Sequence, residues 1–440
     1  MRWFGLRGRS LAGGGEAAQV RRSRRPAVRT SRRLRLEPLE TRQLLAVTLN
    51  PLLNIQEPAG KDVLVPLTGV DSGGQPITYS LSSSNPNVTL SLVSPTSLSL
   101  RLNVAGTDKN GAAFSGPLVL HLFEDLAPLN TARIKQLVGQ PFYNGTVIGR
   151  VLDGFVAQAG FSDTGQPLST GQQIPDELAR NLTFTSPGLL AMANAGRDTN
   201  DAEFFITAIN AAGTNTPITL AAMPQFLNYR YTIFGQLVSG FDTFAKLMQV
   251  NVTANPPLNN ENSKPVSSVV ITSADLVADT QNAVLRVSAP TSAAGASSTI
   301  IVTATGGGGA QSQQTFTANV IADTATDPPF LGSVSANVNT TQNVATSLTL
   351  TSTDIHGSGV TYAVRDANTF GTPANVNVNI NQATGLVTLT PAAGFVGTVN
   401  LIAGVRPSSA SDDAANYDTQ EFTLTVAAST TSAVPSRTMR

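Results

Sequence analysis

Short runs of alternating apolar and polar residues, separated by turn-forming residues, recur along most of this 440-residue chain. Residues 77–81, 98–104 and 315–320 are examples, and 71–74 is one of the turns between such runs. A period of two places successive side chains on opposite faces of a strand, so the pattern predicts half-buried β-strands. Charged residues make up only 13% of the chain, which favours β-sandwiches over helical bundles. The sequence therefore predicts a mainly β protein of about three domains.

The strand and turn signals also set the predicted domain boundaries. Residues 47–112 and 328–427 carry only such signals, and each range is predicted to form a β-sandwich. Residues 278–327 are a further β-rich segment, which forms either its own unit or half of a larger domain with 328–427. These three β-rich segments resemble immunoglobulin-like or cadherin-like repeats of bacterial surface proteins. Residues 428–440 are predicted to be a disordered tail.

The amino-acid composition excludes several kinds of active site. The chain has no cysteine, which rules out cysteine-based zinc sites, iron–sulfur clusters, disulfides and thiol nucleophiles. Its two histidines, His121 and His356, lie in no catalytic or metal-ligand motif, and the sequence contains no G-x-S-x-G motif. We therefore expect neither a bound metal nor a cofactor.

The first 46 residues differ from the remainder in charge. They contain 12 arginines and three acidic residues, a net charge of +9, so the other 394 residues carry −9. Aromatic residues are not interleaved with the arginines of 21–35, and we expect no nucleic-acid partner. Residues 1–46 are predicted to be a basic, disordered targeting segment.

Residues 36–45 read Leu-Glu-Pro-Leu-Glu-Thr-Arg-Gln-Leu-Leu. This sequence resembles a short motif that follows a basic N-terminus in large exported or surface proteins of planctomycete-type bacteria. The resemblance implies an exported protein, located at the cell surface, in the periplasm or outside the cell. The alternative is a short amphipathic helix with no targeting role. The sequence has no run of 18 apolar residues, so no transmembrane helix is expected.

Residues 113–277 carry a different set of motifs, with two segments of helical spacing at 128–138 and 241–250. Four ordered blocks in this region resemble the cyclophilin-type peptidyl-prolyl cis-trans isomerases: 148–160, 188–196, 203–206 and 227–235. The resemblance covers nearly all of 113–277. It implies a closed eight-stranded antiparallel β-barrel with two capping helices, flanked in this chain by the β-sandwiches.

The resemblance also assigns site residues. Arg150 stands at the position of the family's catalytic arginine. The residues expected to line the proline pocket are Phe155, Val156, Phe205, Leu227 and Tyr231, and those expected to hold the substrate backbone are Gln158, Ala193 and Asn194.

Several positions in these blocks depart from the family pattern, among them Gly149 and Glu203. Gly149 replaces the histidine that usually precedes the arginine, and Glu203 replaces a glutamine. A carboxylate near Arg150 either orients the guanidinium or occupies its donors and weakens catalysis. Glu203 is therefore a further candidate substrate-binding residue whose effect on activity the sequence leaves open.

The chemistry implied by the resemblance needs no nucleophile. Rotation about a prolyl bond has a barrier of about 20 kcal/mol because amide resonance is lost. A catalyst that buries the proline ring and donates a hydrogen bond to the twisted amide lowers this barrier. The predicted function is an exported peptidyl-prolyl isomerase that acts on proline-containing polypeptides. The alternative is a surface or adhesion protein whose barrel is a catalytically weak proline-peptide-binding module. The sequence leaves the oligomeric state open.

Overall fold

The computed structural model describes residues 46–429. The predictions made for 1–45 and 430–440, including the motif at 36–45, lie outside the described residues. Two α-helices occur within 46–429, and they fall in the two segments that the sequence predicted: α1 (Pro128–Gly139) and α2 (Phe241–Met248). Short 3-10 helices lie at Leu220–Ala222, Gln225–Leu227, Pro256–Leu258, Thr291–Ala293 and Ala414–Asn416.

All other regular structure in this part of the chain is β-strand. In chain order, the first strands are β1 (Val47–Leu49), β2 (Ile55–Pro58), β3 (Asp62–Leu67), β4 (Gly69–Asp71), β5 (Ile77–Ser83) and β6 (Thr89–Leu92). The next are β7 (Ser99–Thr107), β8 (Ala113–Leu122), β9 (Val147–Leu152), β10 (Val156–Phe161), β11 (Leu189–Met192), β12 (Phe204–Thr207), β13 (Ile233–Ser239), β14 (Val252–Asn255), β15 (Glu261–Pro265) and β16 (Val269–Val277). Three more follow: β17 (Ala283–Ser288), β18 (Ser297–Gly306) and β19 (Gln311–Ile321). The last are β20 (Phe330–Leu331), β21 (Asn337–Thr341), β22 (Thr346–Thr349), β23 (Ser352–Thr353), β24 (Val360–Asp366), β25 (Val376–Asn381), β26 (Leu386–Pro391), β27 (Gly397–Pro407) and β28 (Asp418–Ala427).

Eight strands form a closed antiparallel barrel in the order β10-β12-β11-β13-β8-β7-β16-β9. Alternate residues of β7 and β8, among them Leu100, Leu102, Leu118 and Leu120, are fully buried in its core. Apolar side chains of α1 and α2 pack into the same core, so the helices cap the barrel. The predicted eight-stranded barrel with two capping helices is confirmed.

A glutamate side chain from a distant loop accepts hydrogen bonds from the backbone at the N-terminus of α1. Pro128 occupies the first turn, where its missing N–H costs no hydrogen bond. The Glu177 carboxylate accepts the backbone N–H groups of Leu129 at 3.0 Å and Asn130 at 2.9 Å. These donors would otherwise lack partners within the helix. This contact fixes the long connection between β10 and β11 against the helix.

The barrel is inserted into a β-sandwich whose two halves are distant in sequence. One sheet has the order β3-β17-β6 and the other β2-β19-β18-β5. Val65 is opposite Leu285 in the first sheet, and Leu81 is opposite Val302 in the second. Strands on either side of the barrel therefore build one shared core.

This pairing departs from the domain boundaries expected from the sequence. Residues 99–107, predicted to belong to a sandwich over 47–112, form the barrel strand β7 instead. The segment 278–327 neither stands alone nor joins 328–427, because its strands pair with those before the barrel. Alternation identifies a strand but not its partner, so a split domain gives the same local signal as two separate ones.

The two ends of the barrel meet, which allows the insertion. β7 and β16 are antiparallel neighbours, and Ser99 lies directly opposite Val277. The chain thus enters and leaves the barrel at one place, next to β6 and β17.

Residues 330–427 form the second sandwich. Its sheets have the orders β21-β28-β27-β24 and β22-β26-β25. Alternate residues such as Val387, Leu389, Leu401 and Leu424 are buried in its core.

A buried ion cluster joins the barrel to both sandwiches. The Lys61 ammonium, whose side chain is fully buried, lies 2.6 Å from Asp327 and 3.0 Å from Asp323. Asp327 also accepts a hydrogen bond of 2.8 Å from the amide of Asn228 in the barrel. His356 of the second sandwich lies 3.3 Å from the same carboxylate. Lys61 thereby pairs with both carboxylates at the junction of the three units.

Replacement of Lys61 by alanine is expected to destabilise the protein strongly. The variant leaves the buried Asp327 carboxylate without its cation, and removal of one partner of a buried pair typically costs about 3–5 kcal/mol. The measurement is the free energy of unfolding in urea. Lys109→Ala, at an exposed lysine, is the matched control and should change it by less than about 0.5 kcal/mol. Equal free energies of unfolding for Lys61→Ala and Lys109→Ala would contradict a stabilising role for the cluster.

Candidate active site

An open groove of about 480 Å³ lies on the side of the barrel formed by β9, β10 and the loop after Gln225–Leu227. It brings together nine of the ten residues that the sequence singled out: Arg150, Phe155, Val156, Gln158, Ala193, Asn194, Phe205, Leu227 and Tyr231. Four further residues line it: Phe226, Leu258, Asn259 and Glu261. Glu203 lies outside the lining.

The floor of the groove is apolar and closed. Val156, Phe205 and Leu227 are buried there in one cluster with Phe184. The Phe205 ring stacks on Phe184 at 6.0 Å and meets Tyr231 edge to face at 5.5 Å between centroids. Contacts of this type fix aromatic rings in a defined geometry. The floor therefore offers a rigid apolar surface of the kind that buries a small aliphatic ring.

This floor is supported from behind by the first sandwich. Leu64 of β3 and Val284 of β17 are buried in the same apolar cluster as Phe205. The backbone N–H of Leu64 donates to the Ser186 hydroxyl at 2.7 Å, and the Gln236 amide donates to the Leu64 carbonyl at 3.1 Å. The halves of the sandwich on both sides of the insertion thus stabilise the groove.

Arg150 forms the charged wall of the groove. It lies on β9 directly opposite Gln158 of β10, and its guanidinium sits 5.7 Å from the centre of the Phe155 ring. Its Nε and Nη2 donate to the two carboxylate oxygens of Glu261 at 2.6 and 2.9 Å. These hydrogen bonds lower the pKa of Glu261, so this carboxylate stays ionised near neutral pH. The bidentate pair fixes the guanidinium plane at the groove wall.

The hydrogen-bond partner of Glu203 is Gln158. Glu203 accepts a hydrogen bond of 2.9 Å from the Gln158 amide, and Glu261 rather than Glu203 lies on the guanidinium of Arg150. Burial, reinforced by the nearby charge of Asp201, raises the pKa of Glu203 to about 7. Glu203 thus positions Gln158 from behind the groove.

The packing of the barrel explains why position 149 is a glycine. The ring of Phe161 lies where a side chain at this position would be, with its Cγ 2.2 Å from the site of a Cβ atom. Phe161 is fully buried. The Gly149 carbonyl also accepts a hydrogen bond of 3.0 Å from the buried amide of Asn255, which ties β14 to β9. Glycine is therefore required at this position for the barrel to close around Phe161.

A buried carboxylate holds the loop that carries Asn194. Asp176 accepts hydrogen bonds from the Asn200 amide at 2.8 Å and from the backbone N–H of Asp198 at 3.0 Å. The Asn194 amide donates to the Arg230 carbonyl at 3.1 Å, so two loops meet at this residue. Burial is the largest effect on Asp176 and raises its pKa. This network fixes the end of the groove next to Asn194.

Sequence reasoning missed Phe226 and Glu261 as parts of the groove. The Phe226 ring is 69% exposed and stacks on Phe155 at 5.7 Å. Glu261 follows the turn between β14 and β15, where Asn259 and Asn260 adopt positive φ. The sequence Pro256-Pro257-Leu258-Asn259-Asn260 contains turn-forming residues that predict this hairpin. Nothing local indicates that the hairpin reaches Arg150, which lies 111 residues earlier.

Comparisons with known proteins place this barrel among isomerases. The family described as cyclophilin type peptidyl-prolyl cis-trans isomerase/CLD matches residues 107–276, and the family described as Planctomycete extracellular matches 30–49. Peptidyl-prolyl cis-trans isomerase-like 1 of Mus musculus is 33% identical over 159 residues, which cover 36% of this chain and 84% of that protein. The Gibberella zeae protein of the same name is 32% identical over 165 residues, covering 37% of this chain and 90% of that protein.

One solved structure is also similar to part of this chain. It is the Cryptosporidium parvum cyclophilin type peptidyl-prolyl cis-trans isomerase in the presence of the dipeptide Ala-Pro. The two proteins are 24% identical with a TM-score of 0.32, and the match covers 41% of this chain and 99% of that one.

The raised pKa of Glu203 predicts a pH-dependent difference between the protein and its Glu203→Gln variant. The folded protein holds this proton up to about pH 7, whereas the unfolded chain releases it near pH 4.5. Ionisation of Glu203 therefore costs stability as pH rises through this window. Glu203→Gln removes the cost, so the variant should gain urea resistance relative to the wild type at pH 8 but not at pH 4.

The comparison between variant and wild type cancels the other groups that titrate in the same range. The outcome that contradicts this assignment is a difference in the unfolding midpoint that stays constant from pH 4 to pH 8.

Proposed function

Because the chain belongs to the cyclophilin-type peptidyl-prolyl cis-trans isomerases, we propose that the groove on its barrel isomerises X-Pro bonds with Arg150 as the catalytic residue. The observation that carries this proposal is the fixed guanidinium of Arg150 beside a closed apolar floor. An apolar surface and a hydrogen-bond donor are the two requirements of prolyl rotation that the groove meets together.

The residues of the groove have three separate roles in the proposed reaction. The proline ring packs on Val156, Phe205 and Leu227, which are buried and provide the apolar contact. Gln158 and the loop at Ala193–Asn194 hold the adjoining backbone. Arg150 donates a hydrogen bond toward the prolyl nitrogen or carbonyl when the amide twists and its nitrogen lone pair becomes an acceptor. A donor that is already in place lowers the barrier without reorganisation during the reaction.

We further propose that this isomerase acts outside the cytoplasm, on exported or surface proteins. The match of residues 30–49 to the planctomycete extracellular family supports this location. None of the helices in the described part of the chain is long and apolar enough to cross a membrane.

One contact favours the alternative function, a proline-peptide-binding module with weak catalysis. Glu261 takes hydrogen bonds from both Nε and Nη2 of Arg150, which are donors that a substrate would also use. An isomerase accelerates the cis–trans exchange of an X-Pro peptide strongly, whereas a binding module accelerates it little or not at all.

Arg150→Ala tests the catalytic role. The cis–trans exchange rate of a short X-Pro peptide is measured by NMR with the full chain, because the barrel shares its supporting core with the first sandwich. Loss of a preorganised donor should lower kcat/KM by about 10²–10³-fold. Arg150→Lys is the matched control for charge, and it should recover little because lysine lacks the planar guanidinium fork. A folded wild-type protein that leaves the exchange rate unchanged would establish the binding-module function instead.

Glu261→Ala tests whether this carboxylate positions Arg150 or competes for it. We expect a positioning role, with kcat lowered about tenfold because the released guanidinium no longer holds its geometry. Glu261→Gln, which keeps one acceptor, should lose less activity. Glu421→Ala, at an exposed glutamate of β28, is the control. An increase in kcat for Glu261→Ala would show that the ion pair inhibits the enzyme.

A further inference from the structure

A second cavity of about 370 Å³ adjoins the active-site groove next to Asn194. Asn194 and Tyr231 line both spaces, so the two cavities are neighbours at these residues. One wall of the second cavity is formed by the barrel loops at 194–197 and 229–231. A second wall is formed by residues 414–419 of the second sandwich, and Pro328 also lines the cavity. This sandwich is thus part of the surface that adjoins the active site.

The two walls are held at a fixed separation. Arg197 of the barrel donates to Asp418 of β28 at 2.9 Å, and both side chains are about nine-tenths buried. Asp418 also accepts the backbone N–H of Leu331 at 2.7 Å. Beside this pair, the ring of Tyr229 stacks on Phe330 at 4.9 Å. Buried charge pairs and stacked rings with good geometry restrict relative motion of the elements that they join.

The chemistry of the second cavity suits an extended polypeptide. Ala414 and Ala415 present small exposed side chains, which leave room for the side chains of a bound chain. Tyr417 adds an aromatic surface, and its hydroxyl group is fixed by hydrogen bonds with Arg406 at 3.0 Å and Asp412 at 2.8 Å. A rigid aromatic contact gains binding area with little loss of side-chain entropy.

We propose that the second sandwich completes an outer subsite, which binds the polypeptide segment adjoining the isomerised proline. This inference rests on the proposed function and extends it. The substrates are proline-containing segments long and extended enough to reach from the apolar floor to Tyr417. The subsite lies away from the rotating bond, so its contacts hold the ground state and the transition state equally. Such contacts lower KM and leave kcat unchanged.

The experiment compares two peptides that share one X-Pro bond. One is a tetrapeptide, and the other is a twelve-residue peptide with the same four residues at its centre. For the full-length wild type, kcat/KM for the long peptide should exceed that for the short one by roughly tenfold, mainly through KM. Ala415→Trp fills the outer subsite and should reduce this ratio to about one. Ala383→Trp, at an exposed alanine in a turn of the same sandwich, should keep the wild-type ratio.

A second blocking variant and a binding measurement complete the experiment. Ala414→Trp is a second blocking variant if Ala415→Trp fails to fold, as judged by circular dichroism. Calorimetric affinities of both peptides, measured with the same variants, report on the subsite even without catalysis. A wild-type ratio near one in both rate and affinity, or a ratio unaffected by the blocking variants, overturns the outer subsite. If neither peptide is isomerised but the long one binds more tightly and loses this advantage in Ala415→Trp, the proposed activity fails and the subsite stands.

Discussion

One strand pairing makes the whole arrangement possible. β7 and β16 are antiparallel neighbours with Ser99 opposite Val277, so the barrel returns the chain to the place where it entered. Only a domain whose ends meet can be inserted between β6 and β17 without separating them. As a result, Leu64 and Val284 from the two halves of the sandwich pack in one cluster with Phe205. The floor of the groove therefore depends on the first sandwich. The two halves of that sandwich can pair because the barrel begins and ends at the same place.

Two glutamates beside the groove show how surroundings set the behaviour of one residue type. Hydrogen bonds from Arg150 lower the pKa of Glu261, whereas burial raises the pKa of Glu203 to about 7. Near neutral pH the first is an ion that fixes a guanidinium, and the second keeps its proton to a higher pH than an ordinary glutamate does. Each carboxylate orients a polar side chain of the groove, Arg150 or Gln158, from outside the space that a proline ring would fill.

The predictable part of the site is the part encoded in local sequence. Arg150 and Phe205 lie in short blocks whose order resembles that of a known family, and these blocks define the barrel. Glu261 and Tyr417 carry no such signal, because each reaches the groove or its extension through tertiary packing. The same limit applies to the domain boundaries. Alternation in 47–112 and 278–327 indicated strands, but residues that pair between these segments, such as Val65 with Leu285 and Leu81 with Val302, are far apart in sequence.

Because the first sandwich is divided in sequence, its strands cannot all pair until the barrel has been synthesised. β3 emerges early, but its partner β17 is made only after every strand of the barrel. Domains generally fold as units from the N-terminus during synthesis, and contacts between distant segments form slowly. The barrel strands can therefore pair with one another while the first half of the scaffold still presents unpaired strand edges. Such edges are prone to aggregation, so the nascent chain passes through a vulnerable interval that ends when residues 283–321 arrive.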